Sequence, residues 1–271
     1  MSNWMRIVVT GILLGFLAGC SSSGTEELAT FQEDPADQLF NEGLTYLNAG
    51  KTKKAKEKFA ALDRQHPYSE YARRAMVLSA YAHYSNGEHD DAIQQAKRFV
   101  TLYPGHDDVA YAYYIIGQSY FKQIPDVTRD QKQTQRALGA MREVIRRFPD
   151  SEYAGDARLK ITITLDQLAG KEMQVGRYYQ ERKEYIAAVN RYKYVVSNYQ
   201  TTRHSEEALY RLTESYLSMG IVTEAQTAAA ILGHNFPESD WYAQAYGLLG
   251  KGGVKPEVNK GSWISRVFKR S

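Results

Sequence analysis

Small and aromatic residues recur at fixed intervals along this chain, with polar positions between them. From Gly43, the residues Tyr46, Ala55, Phe59 and Pro67 stand at offsets of 3, 12, 16 and 24. Small residues let two helices approach closely, the rings fill the space beside them, and the proline ends the second helix. The pattern therefore predicts a helix-turn-helix unit over this stretch.

The same frame recurs four more times, and it matches the pattern of the tetratricopeptide repeat. A second pattern supports the phasing, because a serine followed by acidic residues, which is an N-cap signature, stands after a helix-ending stretch at four places. These serines are Ser69, Ser151, Ser205 and Ser239. The predicted fold is all-α: a tetratricopeptide-repeat (TPR) solenoid of five helix-turn-helix repeats with a C-terminal capping helix.

The predicted repeats cover about 36–69, 70–107, 108–151, 152–204 and 205–239 within a solenoid at 35–250, and the cap covers 240–250. Repeat 3 carries an insertion from Ile124 to Gln131, which is either a partner contact or a tolerated loop. Repeat 4 has 23 residues from Tyr153 to Gly176, where repeat 2 has 9 from Tyr71 to Ala80. The surplus predicts a lengthened first helix with Gly170 inside it, where the glycine is expected to loosen or bend it.

The N-terminus predicts export and lipidation. An apolar run from Ile7 to Leu17 is too short to span a bilayer, which favours a signal peptide at 1–19. It ends in Leu17-Ala18-Gly19-Cys20, which resembles the bacterial lipobox; the alternative is an ordinary signal peptide with an incidental cysteine. The resemblance implies N-acyl diacylglycerol on Cys20, a tether at 20–34, and, because Ser21 follows, an outer-membrane anchor facing the periplasm.

Composition argues against several classes of function. A net charge of +3 does not suggest a nucleic-acid binder, and a single cysteine excludes internal disulfides. The six histidines are scattered without metal-ligand spacing, and no phosphate loop or nucleophile motif is present. We therefore predict no enzyme activity, no metal site and no cofactor apart from the lipid.

The first helices of TPR units line the concave surface of such arrays, which predicts a groove for an extended peptide; packing into the stack is the alternative for each aromatic residue. The tail at 251–271 holds six basic residues and one acid, and is expected to be flexible. Its spacing of Trp263, Ile264, Val267 and Phe268 also fits a short helix that binds a partner or a membrane surface. The predicted groove residues are Phe40, Leu44, Arg74, Tyr81, Tyr84, Tyr111, Tyr114, Gln118 and Phe121.

Together, the lipobox, the five repeats, the insertion, the overlong helix and the stretch from Tyr178 to Tyr192 resemble the BamD family. These are the TPR lipoproteins of the complex that inserts β-barrel proteins into the bacterial outer membrane. The resemblance implies C-terminal repeats that bind the periplasmic domains of BamA, contacts with other lipoproteins of the BAM complex, and N-terminal repeats that receive unfolded β-barrel substrates. Arg191, within the matched stretch, is the candidate partner contact. The alternative is a periplasmic TPR lipoprotein scaffold of a cell-wall or envelope-organising complex.

Overall fold

A computed structural model describes residues 33–269, and Cys20 and the predicted signal peptide lie outside the described residues. From Ala36 onward the chain forms one unit. The described residues contain twelve α-helices and no β-strand. The helices are α1 (Ala36–Asn48), α2 (Thr52–Gln65), α3 (Glu70–Ser85), α4 (His89–Leu102), α5 (Val109–Lys122), α6 (Lys132–Arg147), α7 (Ala154–Glu181), α8 (Tyr185–Asn198), α9 (His204–Ser218), α10 (Val222–Asn235), α11 (Asp240–Lys251) and α12 (Trp263–Phe268).

Helices α1 to α10 form five hairpins in sequence, and α11 packs on the last one. From α1 to α11 each helix contacts the next, and the odd-numbered helices in this range also contact one another in order. Consecutive even-numbered helices from α2 to α10 make no comparable contacts within the described residues. This arrangement confirms the all-α TPR solenoid. We call the surface of the odd-numbered helices the A face and that of the even-numbered helices the B side.

Close approach of the two helices within a hairpin explains the small residues of the frame. A Cβ added at Gly43 would lie 2.5 Å from the Phe59 ring, and one at Gly176 would lie 2.4 Å from the Tyr192 ring. Phe59 is 2% exposed and Tyr192 is 0% exposed, so neither ring has free space to move into. The glycine and the ring therefore set the distance between the two helices together.

Only two of the four predicted serine caps form. The Ser69 hydroxyl accepts a hydrogen bond from the Ala72 amide at 3.0 Å, and the Ser239 hydroxyl accepts one from the Trp241 amide at 3.2 Å. Ser151 instead donates to the Phe148 carbonyl at 2.9 Å, because the turn continues for two more residues before the helix starts. Ser205 is buried inside α9, which begins one residue earlier.

The two irregular features of the sequence pack against each other. Helix α7 has 28 residues and continues through Gly170. A Cβ at Gly170 would lie 3.2 Å from His204 Nε2, so this glycine permits close packing and does not break the helix. Gln167 Nε2 donates to the Pro125 carbonyl and Lys171 Nζ to the Thr128 carbonyl, both at 2.9 Å. The extra turns of α7 therefore hold the insertion of repeat 3.

The prediction of a flexible tail is wrong for the residues described. After α11 the chain crosses α10 and forms α12, which buries Ile264 completely. Trp263 Nε1 donates to the Tyr216 hydroxyl at 2.9 Å, and Ser262 Oγ donates to Glu224 Oε2 at 2.6 Å. The apolar face of α12 therefore packs against other helices of the same chain. We call residues 254–268 the strap.

No helix between residues 33 and 269 has both the length and the apolarity that a bilayer span requires.

Candidate binding surface

Aromatic rings connect neighbouring helices along the A face. The ring centroids of Tyr81 and Tyr111 are 6.3 Å apart, those of Tyr111 and Tyr153 are 5.3 Å apart, and those of Tyr153 and Tyr114 are 4.9 Å apart. These residues come from α3, α5 and the turn before α7. We call Tyr81, Tyr111, Tyr114 and Tyr153 the tyrosine ladder, which links repeats 2, 3 and 4.

A polar cluster ends the ladder on the α7 side. The Tyr114 hydroxyl donates to Asp156 Oδ2 at 2.6 Å, and Gln118 Nε2 lies 3.3 Å from the same oxygen. Lys160 also pairs with Asp156, and its Nζ lies 5.5 Å from the centre of the Phe121 ring. Burial opposes ionisation of Asp156, but Lys160 and Tyr114 outweigh it and lower the pKa of this carboxyl. The candidates Tyr114, Gln118 and Phe121 are therefore held in one network.

The hydroxyls of Tyr111, Tyr114 and Tyr153 stay neutral at physiological pH. Burial raises the pKa of Tyr111, and burial followed by the hydrogen bond to Asp156 raises that of Tyr114. Burial and the nearby Glu152 raise the pKa of Tyr153 to about 12. Burial also raises the pKa of Tyr84, another predicted groove residue, which is half-buried. The A face in these repeats therefore offers rings and uncharged hydroxyls.

The first repeat differs from the prediction. Phe40 is 5% exposed and packs between Phe59 and Tyr71, so it belongs to the core and is not open to a ligand. Leu44 is half-buried and lies against the same core cluster. Arg74 is exposed, with its guanidinium 5.5 Å from the centre of the Phe40 ring. Of the candidates in repeats 1 and 2, Arg74 and Tyr81 are the accessible ones.

Three aromatic residues of the A face were missed because their sequence motif indicated only helix caps. Tyr71, Tyr153 and Trp241 each stand two residues after a serine of that motif. Each ring packs on an aromatic residue of the preceding A helix; for Tyr71 and Phe40 the centroids are 5.5 Å apart, and for Trp241 and Tyr210 they are 5.2 Å apart. The recurring serine, acid and aromatic triplet was the signal for these contacts.

Ion pairs replace aromatic contacts between repeats 4 and 5. Arg177 Nη1 lies 2.8 Å from both Glu207 oxygens, and Arg211 contacts Glu207 at 3.3 Å and Glu214 at 2.7 Å. Gln180 Nε2 donates to Glu214 at 3.1 Å. The network joins α7 to α9, and the half-buried carboxylates give it more strength than exposed pairs have. The A face therefore has aromatic contacts between repeats 2, 3 and 4, and ion pairs between repeats 4 and 5.

Arg191, the predicted partner contact, lies outside the A face. It is exposed on α8, and its Nη1 lies 3.1 Å from Glu172 Oε2 on α7. Tyr179 and Tyr194 line the same shallow depression. An accessible cation flanked by rings is suited to a protein contact, although its ion pair with Glu172 already engages it.

One group of potential metal ligands occurs among residues 33–269. Ligand atoms of His83, Glu88 and Asp91 lie within 4.8 Å of one another. However, Lys56 and Asn86 both bind the Glu88 carboxylate, and His83 Nδ1 lies 2.6 Å from it. These contacts, with Lys56 first, lower the pKa of Glu88 to about 2. The group therefore acts as an ion pair between repeats 1 and 2.

Helical hairpins stacked in sequence define a TPR-type scaffold, a repeat architecture that presents extended binding surfaces. A model of the YfiO family, described as outer membrane lipoprotein, matches residues 32–232. The chain belongs to this family.

Relatives of similar length carry the name outer membrane protein assembly factor BamD. The one from Caulobacter vibrioides is 45% identical over 242 residues, which is 89% of this chain and 79% of the relative. The one from Rickettsia prowazekii is 41% identical over 90% of this chain and 94% of the relative. The one from Neisseria meningitidis serogroup A is 32% identical over 89% of this chain and 96% of the relative.

Proposed function

We propose that this chain is an outer-membrane protein assembly factor, a scaffold that holds β-barrel precursors and partner proteins and performs no chemistry. The names of the relatives support this role, and so does the arrangement of the hairpins. N-acyl diacylglycerol on Cys20 would anchor the chain to the outer membrane, with the repeats in the periplasm. BamA and other lipoproteins of the BAM complex are its proposed partners.

The substrate surface that we propose is the A face of repeats 1 to 3. The observation that carries it is the tyrosine ladder, whose member Tyr81 is 37% exposed, together with Tyr71, which is 41% exposed. Rings provide a large contact area and lose little rotamer entropy on binding. An unfolded β-barrel segment with alternating aromatic residues would place its rings among them.

Peptide binding tests the substrate surface. A fluorescent peptide with the aromatic-rich C-terminal sequence of an outer-membrane β-barrel protein should bind the Tyr71→Ala and Tyr81→Ala double variant about tenfold more weakly than wild type, a loss of ~1.4 kcal/mol. Tyr68→Ala is the matched control, because Tyr68 is 95% exposed and belongs to a turn. Equal binding by the double variant and the control would refute the proposed surface.

The partner contact at Arg191 needs a design that separates binding from the ion pair. Arg191→Glu should reduce co-purification with BamA, but it also places two carboxylates side by side. An exchange variant that carries both Arg191→Glu and Glu172→Arg restores the ion pair and keeps the reversed charge at position 191. Loss of BamA in both variants would support a direct contact. Recovery in the exchange variant would show that only the ion pair matters.

A further inference from the structure

Depressions recur on the B side, away from the tyrosine ladder. The one in repeat 2 lies between α2 and α4 over α3, and the one in repeat 3 lies between α4 and α6 over α5. Repeat 4 has one against α7 and α8. We call the one in repeat 3 the outer groove; its volume is about 380 Å³, and it is lined by Lys97, Tyr113, Ile116, Tyr120, Arg136 and Gly139, among others.

The strap occupies the corresponding place in repeat 5. Lys97 stands five residues after Ala92, and Lys193 stands five after Ala188. Lys193 Nζ lies 4.7 Å from the centre of the Trp263 ring. Lys193, which holds the same frame position as Lys97, thus lies over the Trp263 indole of the strap.

The tyrosine at the bottom of the groove also has its counterpart. Tyr120 stands three residues after Gly117, as Tyr216 does after Thr213, and Tyr216 accepts the hydrogen bond from the Trp263 indole at 2.9 Å. In the outer groove, Lys97 Nζ donates to the Tyr120 hydroxyl at 3.1 Å. The two groups that hold the indole in repeat 5 therefore contact each other in repeat 3.

Apolar positions correspond as well. Leu212 and Ala228 belong to the buried cluster around Ile264, and they hold the frame positions of Ile116 and Ala140 in the outer groove. Thr227, whose hydroxyl accepts from the Asn259 amide of the strap at 3.1 Å, holds the position of Gly139. The outer groove thus repeats the aliphatic surface that binds the strap, and glycine leaves more room in it.

The outer groove also differs from the depressions in repeats 2 and 4. In repeat 2, Arg98 binds Asp63 across the depression at 2.7 and 3.2 Å, and in repeat 4, Arg191 pairs with Glu172. Lys97 and Arg136 form no ion pair with a carboxylate of the described residues. The outer groove therefore has two cations beside an apolar surface, and the carboxylate of Glu143, which also lines it, is already bound by Arg146 and Arg147.

We propose that the outer groove binds a short protein segment that carries an aromatic ring beside carboxylates. The strap shows that this surface accepts an indole, since Trp263 fills the corresponding site. The charge of the site distinguishes the new ligand from the strap, because Glu224, which binds Ser262 of the strap, corresponds to Arg136 here. Acidic residues of the ligand would pair with Arg136 and Lys97.

Fluorescence anisotropy with a defined peptide tests this proposal on the full chain. The probe has the sequence of residues 259–269, with Lys260 and Arg266 replaced by glutamate. Wild type should bind it, and Trp263→Ala within the peptide should weaken binding about tenfold. Failure of the wild-type chain to bind this probe would overturn the proposal.

Variants of the groove decide where the probe binds. A Cβ at Gly139 meets no atom within 4 Å, so a larger side chain fits there without disturbing the fold. Gly139→Phe should fill the groove and abolish binding of the probe. Gly139→Ala should preserve the fold and the binding. Lys97→Glu should weaken binding about tenfold. Unchanged binding by Gly139→Phe, with an unchanged melting temperature, would place the probe elsewhere and refute the proposal. If the chain forms dimers only when the strap is present, the groove binds the strap of a second copy, and this result would also refute the proposal.

Discussion

The spacing between the helices of repeat 4 depends on one glycine, and this can be tested quantitatively. Gly176→Ala adds a Cβ 2.4 Å from the Tyr192 ring, which is 0% exposed and whose hydroxyl donates to Gln180 at 2.7 Å. Overpacking of this kind costs ~1–3 kcal/mol. Alanine recovers roughly 1 kcal/mol of helix propensity, so the net loss of stability should be about 1 kcal/mol.

Gly139→Ala is the matched control, because it makes the same change inside a helix where the new Cβ meets nothing within 4 Å. Both variants gain the same helix propensity, so the difference between their free energies of unfolding isolates the overpacking cost, about 2 kcal/mol. That difference corresponds to roughly 4–8 °C in melting temperature for a chain of this size, followed by circular dichroism at 222 nm.

A double-mutant cycle identifies the cause of the loss. In a Tyr192→Leu background the ring is absent, and Gly176→Ala should then be no more costly than Gly139→Ala. If Gly176→Ala is as stable as Gly139→Ala in the wild-type background, the close contact between helix and ring does not set the spacing, and the interpretation of the frame is refuted.

Three further predictions concern contacts between repeats and the strap. The hydrogen bond from Lys56 is the main cause that lowers the pKa of Glu88 to about 2. Ionised Glu88 therefore stabilises the fold fully above its ordinary pKa of 4.5, and this contribution is lost as the pH falls toward 2. Glu88→Gln should flatten the plot of unfolding free energy against pH over that range. Glu207→Gln removes the charged carboxylate that Arg177 and Arg211 share, and should lower the free energy of unfolding in urea by ~1–3 kcal/mol. An unchanged urea midpoint would contradict the network. Ile264→Ala should release the strap, at a cost of ~2–5 kcal/mol, and expose it to trypsin while helices α1 to α11 stay intact; a resistant strap would contradict the packing described.

The hairpins could be predicted from the sequence because their determinants are local. Gly43 and Phe59 are 16 residues apart, and their frame positions alone implied the close approach that leaves no room for a Cβ at Gly43. Spacing could not decide which aromatic residue of an A helix faces a ligand. Phe40 is 5% exposed and Tyr81 is 37% exposed, because Tyr71 of the next repeat covers the first ring. Exposure depends on the neighbouring repeat, which a single-repeat pattern does not encode.

The strap could be predicted only in part for the same reason. The spacing of its apolar residues indicated a short helix, and α12 forms at Trp263–Phe268. Its partner could not be identified, since Trp263 binds Tyr216, which is 47 residues away. A tail rich in basic residues resembles a disordered terminus in composition, and the packing that orders it comes from a surface made by several helices.

Helix α5 shows how one TPR helix serves both sides of the array. Tyr114 contributes to the tyrosine ladder on the A face, whereas the adjacent Tyr113 lines the outer groove on the B side. Successive residues of a helix point about 100° apart, so neighbouring tyrosines reach different surfaces without competing for space. The abundance of tyrosine in this chain, at 21 residues, is therefore not explained by one aromatic groove. The A face and the outer groove each use rings of α5. On our two proposals, a substrate and a partner segment would bind different sides of this repeat.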